Sequence, residues 1–213
     1  MPVDGAFTNF RMTQRLYEAA GADARLLEAY DRLIERVVLP FLKARLADAR
    51  QVEAGSAIKV DAEGDADGDA KGDAEVQAAR AAAPPITFHY QRPPSVRLQR
   101  PDASAYCREH RDAEYGHQVG EVNFWLPLTD PTRTHTTLWV ERSPGAADFH
   151  PLEVGHGEIA AFHGTLCRHR VPPNTSTSTR VSLDFRVGVG DYFDPSWKLK
   201  EAKAQHTRRA LTI

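Results

Sequence analysis

RVSLDFRV, residues 180–187, alternates without exception: Arg180, Ser182, Asp184 and Arg186 fall on one side of an extended chain, and Val181, Leu183, Phe185 and Val187 on the other. A period of two is the mark of a β-strand with two unlike environments. One face is apolar enough to pack against a helix or a second sheet. The other suits a wet interior. Working outward, the chain from Pro84 onward is a series of short segments rich in Val, Ile, Phe, Trp and Thr: ITFHY (86–90), SVRLQR (95–100), EVNFWLPL (121–128), TTLWVE (136–141), EIAAFHG (158–164) and LCRHRV (166–171). Pro, Gly and Asn punctuate them, so the spacing predicts an antiparallel sandwich or jelly roll.

The N-terminal part reads differently. Between residues 23 and 49, Leu26, Leu27, Tyr30, Leu33, Ile34, Val37, Val38, Phe41 and Leu42 recur every three or four positions, which predicts an amphipathic helix. Asp23 is placed to cap its start, and Pro40, lacking an amide donor, should kink or divide it. A shorter helix is expected over Thr13–Ala20, ended by Gly21. The fold class is therefore mainly β with N-terminal α-helices laid on one sheet. Residues 61–75, DAEGDADGDAKGDAE, offer almost nothing to bury and read as a mobile insertion. Their spaced aspartates lack the twelfth-position glutamate and flanking helices of a calcium loop. The expected organisation is a helical region over 1–55, a low-complexity insertion over 56–83, a β-domain over 84–195 and a tail over 196–213.

A net charge of −2, from 27 basic and 29 acidic residues, supplies no basic stripe for nucleic acid. No apolar run approaches the length of a membrane span and no signal peptide opens the chain, so a soluble, cytoplasmic protein is expected. Two cysteines, Cys107 and Cys167, are no disulfide framework. With His110 and His169 they make a possible but irregularly spaced zinc set, and two free thiols are the simpler reading.

The chemistry-bearing residues gather around YCREHRDAEYGHQVGEVNFWLPL, residues 106–128. His110 and Asp112, two apart, project to the same side of an extended segment. His169 follows several strands later, Arg180 comes eleven positions after it, and Ser182 two beyond that. Two histidines and one carboxylate on one face of a metal leave its other positions open, the arrangement that non-haem Fe(II) oxygenases use for a chelating cosubstrate and oxygen. The planar fork of Arg180 can take the far carboxylate of a dicarboxylic acid, with the Ser182 hydroxyl adding a hydrogen bond.

HRD at 110–112, GEIAAFHG leading to His169, and NTSTSTRVSLDFRV with Arg180 and Ser182 together resemble the Fe(II)- and 2-oxoglutarate-dependent dioxygenases of the double-stranded β-helix (jelly-roll, cupin-like) fold. Within them, EHRDAEYGHQVGEVNFWLPL and TRVSLDFRV look most like a small group related to a protein encoded among streptomycin biosynthesis genes. The resemblance spans about residues 86–190. It implies His110, Asp112 and His169 as iron ligands, Arg180 and Ser182 as the anchor for 2-oxoglutarate, O2 as the second cosubstrate, and a small polar metabolite as substrate. Retention of the Asp112 carboxylate, which related halogenases replace with a small residue, points to hydroxylation or a related oxidation.

Several neighbours stay open. Asn123 faces the expected interior and is a candidate for contact with 2-oxoglutarate or substrate. Trp125, on the same face, reads as core before site. His117 and His163 read as structural or supporting before substrate-contacting, Glu114 as a solvated carboxylate, and Arg186 as the partner of Asp184 before a contact for an anionic part of the substrate. HGE at 156–158 reads as a turn, because the third ligand it would need, His206, sits in the tail. A cupin-like metalloenzyme using the same ligands without 2-oxoglutarate, and a jelly-roll binding module without catalysis, are the alternatives. The first leaves Arg180 unexplained and the second makes the four-residue set a coincidence.

Overall fold

The computed structural model describes residues 15–57, 84–103, 106–197 and 207–213. Most of the 56–83 segment, with its Gly-Asp-Ala repeats, lies outside these residues. The chain divides into two compact units, one comprising Met1–Tyr30 and Thr87–Leu211, the other Asp31–Ile86 and Thr212–Ile213.

Helix α1 covers residues 15–22 and runs through Gly21. The stop is set by Asp23, whose carboxylate accepts from the amides of Arg25 (2.9 Å) and Leu26 (3.1 Å) and so caps α2, Ala24–Leu33. Pro40 does not break the following helix. A π-turn, Ile34–Val38, with Leu39 N–H bonded to the Ile34 carbonyl, sits directly ahead of it and leads into α3, Leu39–Ala57. Widening one turn accommodates the missing donor and the ring without ending the helix. Among the described residues no helix is long and apolar enough to cross a membrane.

Ten strands follow among the described residues: β1 Thr87–Gln91, β2 Ser95–Gln99, β3 Cys107–His110, β4 Glu121–Pro127, β5 Trp139–Glu141, β6 Phe149–Pro151, β7 Ala160–Phe162, β8 His169–Val171, β9 Arg180–Val189 and β10 Arg208–Thr212. They form two antiparallel sheets. One has the order β10-β1-β9-β4-β7 with β2 also on β9; the other is β3-β8-β5-β6. Taken from β2 to β9, eight strands divide as β2-β9-β4-β7 and β3-β8-β5-β6, the chain crossing repeatedly between the sheets. That is a jelly roll, or double-stranded β-helix.

β9 organises it. Its ten residues pair on one edge with β4, from Glu121↔Gly188 to Pro127↔Ser182, and on the other with both β1 (Phe88↔Val189) and β2 (Ser95↔Asp184 to Gln99↔Arg180). β1 and β2 are one interrupted strand: Pro93 and Pro94 have no amide to donate to the ladder, so the chain bulges away between them. The alternation of β9 is realised. Phe185 stacks on Phe124 of β4 (5.3 Å) and meets Tyr30 of α2 edge-on (5.1 Å), whose hydroxyl donates to the Gln91 carbonyl at 2.7 Å. On the opposite side Trp125 packs between the sheets with Leu138, Val140, Cys167 and Val171.

Three strands are not legible in the sequence, β3, β6 and β10. The last corrects the tail expected over 196–213: Arg208–Thr212 pairs along β1 and completes the edge of the larger sheet.

Candidate metal centre

β3 and β8 are neighbours, and His110 of β3 stands opposite His169 of β8 in the register, which sets their rings 4.3 Å apart. After His110 the strand ends. Arg111 stays extended (φ −108°, ψ 146°) and Asp112 opens a 3₁₀ turn, Asp112–Tyr115, closed by Gly116 at φ 88°, a backbone state that glycine adopts without strain. The turn swings the Asp112 carboxylate back between the two imidazoles. Its Oδ1 lies 3.7 Å from His110 Nε2 and 3.6 Å from His169 Nε2, and all three residues are buried. Donors bound about 2.0–2.2 Å from a common ion lie roughly 3–4 Å from one another, so this spacing fits a single transition-metal ion.

The outer bonds fix which atoms face inward. His110 Nδ1 meets the Arg108 carbonyl at 2.8 Å and His169 Nδ1 meets the Cys167 carbonyl at 3.2 Å, so each ring donates outward and, in its neutral form, turns the Nε2 lone pair to the centre. Asp112 Oδ2 accepts from Asn123 Nδ2 (2.7 Å) and Arg186 Nε (2.8 Å), leaving Oδ1 as the oxygen turned to the imidazoles. The Asn123 amide is oriented in turn by Gly164, whose N–H donates to its Oδ1 at 3.2 Å. A Cβ on Gly164 would come within 2.7 Å of that amide, so only glycine permits the approach. Burial works against charge throughout the cluster. At Asp112 it is outweighed by Arg186 and His110, which hold the carboxylate well below its usual range. At His110 it is outweighed by Asp112, and the imidazole is pushed up to about 10, whereas at His169 burial prevails and the pKa falls.

The cluster opens into a cavity of about 240 Å³ between the sheets, walled in part by Tyr106, Trp125, Leu138 and Phe162. Arg180 lines the same cavity. It is 2% exposed, its guanidinium lies over the rings of Trp125 (5.7 Å) and Tyr106 (5.9 Å), and its Nε and Nη1 have no hydrogen-bond partner. The hydroxyl of Ser182, on the same strand face, is also buried and unpartnered. Burial pushes the Arg180 pKa down to about 10. Buried charged and polar groups are normally satisfied. An unsatisfied guanidinium lining the same cavity as His110 and His169, with an unsatisfied hydroxyl two residues along its strand face, fits a bound carboxylate, the group to which an arginine fork and a hydroxyl are complementary. The donor set of two imidazoles and one carboxylate oxygen likewise fits ferrous iron with positions left open.

His110, Asp112 and His169 thus come together, and Arg180 and Ser182 share one face of β9 as the alternation requires. One expectation needs correction. Arg186 pairs with Asp112 and not with Asp184, because Asp184 is held by Arg97 at 2.6 Å across β2 and β9. Asn123 lines the cavity, with its Nδ2 on Asp112 and its Oδ1 accepting from the Gly164 N–H. Glu114 is an exposed carboxylate that Arg168 reaches at 3.3 Å. Among the others, His117 Nδ1 donates to Glu121 Oε2 at 2.6 Å in a buried pair. Glu158 accepts from the Gly155 amide in the turn expected there. Cys167 belongs to the apolar core, while Cys107 Sγ stands 3.6 Å from His110 Nδ1, away from the metal-facing nitrogen. His206 and the 61–75 segment lie outside the described residues. Sequence reasoning missed Arg97 and Tyr106 as cavity residues. The alternation of SVRLQR marks Arg97 as facing one side, but only the pairing of β2 with β9 decides which.

Fold and site together define a jelly-roll protein with a buried two-histidine, one-carboxylate cluster beside an unpaired arginine. No family model matches the sequence. The chain is similar to the streptomycin biosynthesis protein StrG of Streptomyces griseus, with 32% identity over 108 residues, or 51% of this chain and 50% of StrG. It therefore spans about half the length of this curated relative. Solved structures overlap only loosely. A non-heme monooxygenase, ThoJ, in complex with nickel superposes with a TM-score of 0.39 at 17% identity over 62% of this chain and 58% of that one. AviO1 from Streptomyces viridochromogenes Tue57 gives 0.38 at 16% over 74% and 85%. The non-heme alpha-ketoglutarate-dependent epimerase SnoN gives 0.37 at 17% over 76% and 83%. Overlaps this loose carry no weight for function.

Proposed function

We propose that this protein is a non-haem Fe(II) oxygenase that couples oxidative decarboxylation of 2-oxoglutarate to hydroxylation, or a related oxidation, of a small polar metabolite. The observation that carries the proposal is Arg180: a buried guanidinium with two unpartnered nitrogens, in the same cavity as His110 and His169, the two imidazoles that Asp112 adjoins. In this reading the three ligands hold the iron, and Arg180 with Ser182 holds the distal carboxylate of 2-oxoglutarate. Bound together, iron and 2-oxoglutarate supply the activation of O2 and the oxidation of a C–H bond, chemistry that belongs to the cofactors.

The chain's own residues bind, orient and exclude. Asp112 presents one oxygen because Asn123 and Arg186 occupy the other. The outward Nδ1 bonds of the histidines keep both Nε2 atoms ready as donors. Arg180 fixes one end of the cosubstrate, and Trp125 and Tyr106 shield that ion pair from water, where it would be weaker. Similarity to a protein of antibiotic biosynthesis supports a polar secondary metabolite as substrate. A metalloenzyme without 2-oxoglutarate leaves the unpaired charge of Arg180 without a purpose.

The test is anaerobic titration of Fe(II)-loaded protein with 2-oxoglutarate. A weak visible metal-to-ligand charge-transfer band that saturates at one equivalent supports the proposal. A featureless spectrum with iron bound removes it.

A further inference from the structure

We infer that Arg186 is a positioning residue that tunes the metal site: its charge, seated on the outer oxygen of Asp112, weakens that carboxylate as a donor. The metal is then held less tightly but is more attractive to an anionic chelator. The inference rests on reading His110, Asp112 and His169 as a metal site.

Two donors converge on Asp112 Oδ2, Asn123 Nδ2 at 2.7 Å and Arg186 Nε at 2.8 Å, from residues that stand opposite each other on β4 and β9. One neutral amide suffices to turn the carboxylate so that Oδ1 faces the imidazoles. What Arg186 adds is a positive charge, and its surroundings commit that charge to Asp112. Asp184, two residues earlier on the same face, is taken by Arg97, and Glu121, the next acidic group, is engaged by His117 and Arg208. A carboxylate behind a ligand imidazole makes the ligand a better donor. A guanidinium behind a ligand carboxylate acts in the opposite sense, drawing charge away from the oxygen that binds. The centre then keeps more of the metal's positive charge, which favours a dianionic cosubstrate.

The two donors should therefore answer to substitution with opposite signs. Arg186→Gln keeps a donor and removes the charge; Asn123→Ala removes orientation and keeps the charge. Equilibrium titration with Co²⁺ alone, followed by its visible absorption, is expected to give binding about tenfold tighter for Arg186→Gln, as expected when a repulsive charge is removed. Asn123→Ala should bind roughly 10–100-fold more weakly, the usual effect of losing an outer partner. Arg186→Lys, which retains the charge, should lie within about twofold of wild type. Arg186→Gln binding cobalt no tighter than wild type overturns the inference. If Arg186→Gln gives no cooperative melt, Arg186→Lys decides: retention of the wild-type affinity supports the inference and any larger change overturns it. Wild-type protein that binds no cobalt would instead remove the metal site itself.

Discussion

Replacing Arg180 by methionine should stabilise the empty protein while crippling its affinity for 2-oxoglutarate. The guanidinium is 2% exposed, with two nitrogens unpartnered, and burial pushes its pKa down to about 10 from the usual arginine value. At about 1.4 kcal/mol per tenfold, that displacement corresponds to roughly 3 kcal/mol held against the charge in the folded state. Methionine fills the space between Trp125 and Tyr106 without a charge. Allowing for lost stacking, a gain of about 1–2 kcal/mol is expected, a rise of roughly 2–8 °C in melting temperature for a chain of this size. Under the proposed function the same change removes two charge-assisted hydrogen bonds to the cosubstrate, each worth about 1.5–3 kcal/mol. Affinity should fall by roughly 10²–10⁴-fold at about 1.4 kcal/mol per tenfold. Scanning calorimetry of metal-free protein gives the first quantity. Titration calorimetry of 2-oxoglutarate into Co²⁺-loaded protein gives the second, and Co²⁺ affinity itself should hardly move. A lower melting temperature combined with 2-oxoglutarate affinity within about threefold of wild type would make Arg180 a structural residue and refute the reasoning.

Further outcomes follow from the same geometry. Asp112→Ala should remove high-affinity metal binding, read by metal content after dialysis, because two imidazoles alone leave the site without its anionic donor. Gly164→Ala drives a Cβ into the Asn123 amide, so Asn123 must release Asp112, and Co²⁺ affinity should drop by about tenfold or more with little change in far-ultraviolet circular dichroism. Glu121→Gln leaves Arg208 and His117 without their buried counter-charge, and a loss of about 3–5 kcal/mol is expected by urea denaturation. For Asp184, burial alone would raise the pKa, but Arg97 outweighs it and holds the carboxylate below its usual value. A folded pKa below the unfolded one gives stability that is present above about pH 4 and lost as pH falls through the folded value. Arg97→Met should therefore lower the urea midpoint at pH 7 and flatten its decline on acidification. An unchanged slope would argue against the pair.

The sequence discloses the parts of this molecule that obey a short period. β9 is the clearest case: its two faces can be assigned from residues 180–187 alone, and Arg180 and Ser182 fall on the polar one because the period is two. Helix α2 and its Asp23 cap are legible for the same local reason. β3, β6 and β10 are not, because CREH, FHP and RRALT have no apolar alternation of their own and become strands only through their partners. The same limit governs the site. His110, Asp112 and His169 are recognisable as a set, but the turn that brings Asp112 back between the rings depends on Gly116, and the bond from Asn123 depends on the close approach of Gly164. Arg186 and Asp184, two apart on one strand, look like a pair in one dimension. Only the pairing of β2 and β4 on either side of β9 gives Asp184 to Arg97 and Arg186 to Asp112. Pro40 shows the converse, a local rule absorbed by a single π-turn.

The central claim is that side chains from two distant segments hold one metal within reach of the Arg180 guanidinium. A crystal grown anaerobically with Mn²⁺ and 2-oxoglutarate, with data collected for anomalous scattering, tests it most directly. One strong peak bonded to His110 Nε2, Asp112 Oδ1 and His169 Nε2, with a ligand carboxylate against Arg180 and Ser182, is the expected result. A peak elsewhere, or a carboxylate that leaves Arg180 unpaired, would contradict it.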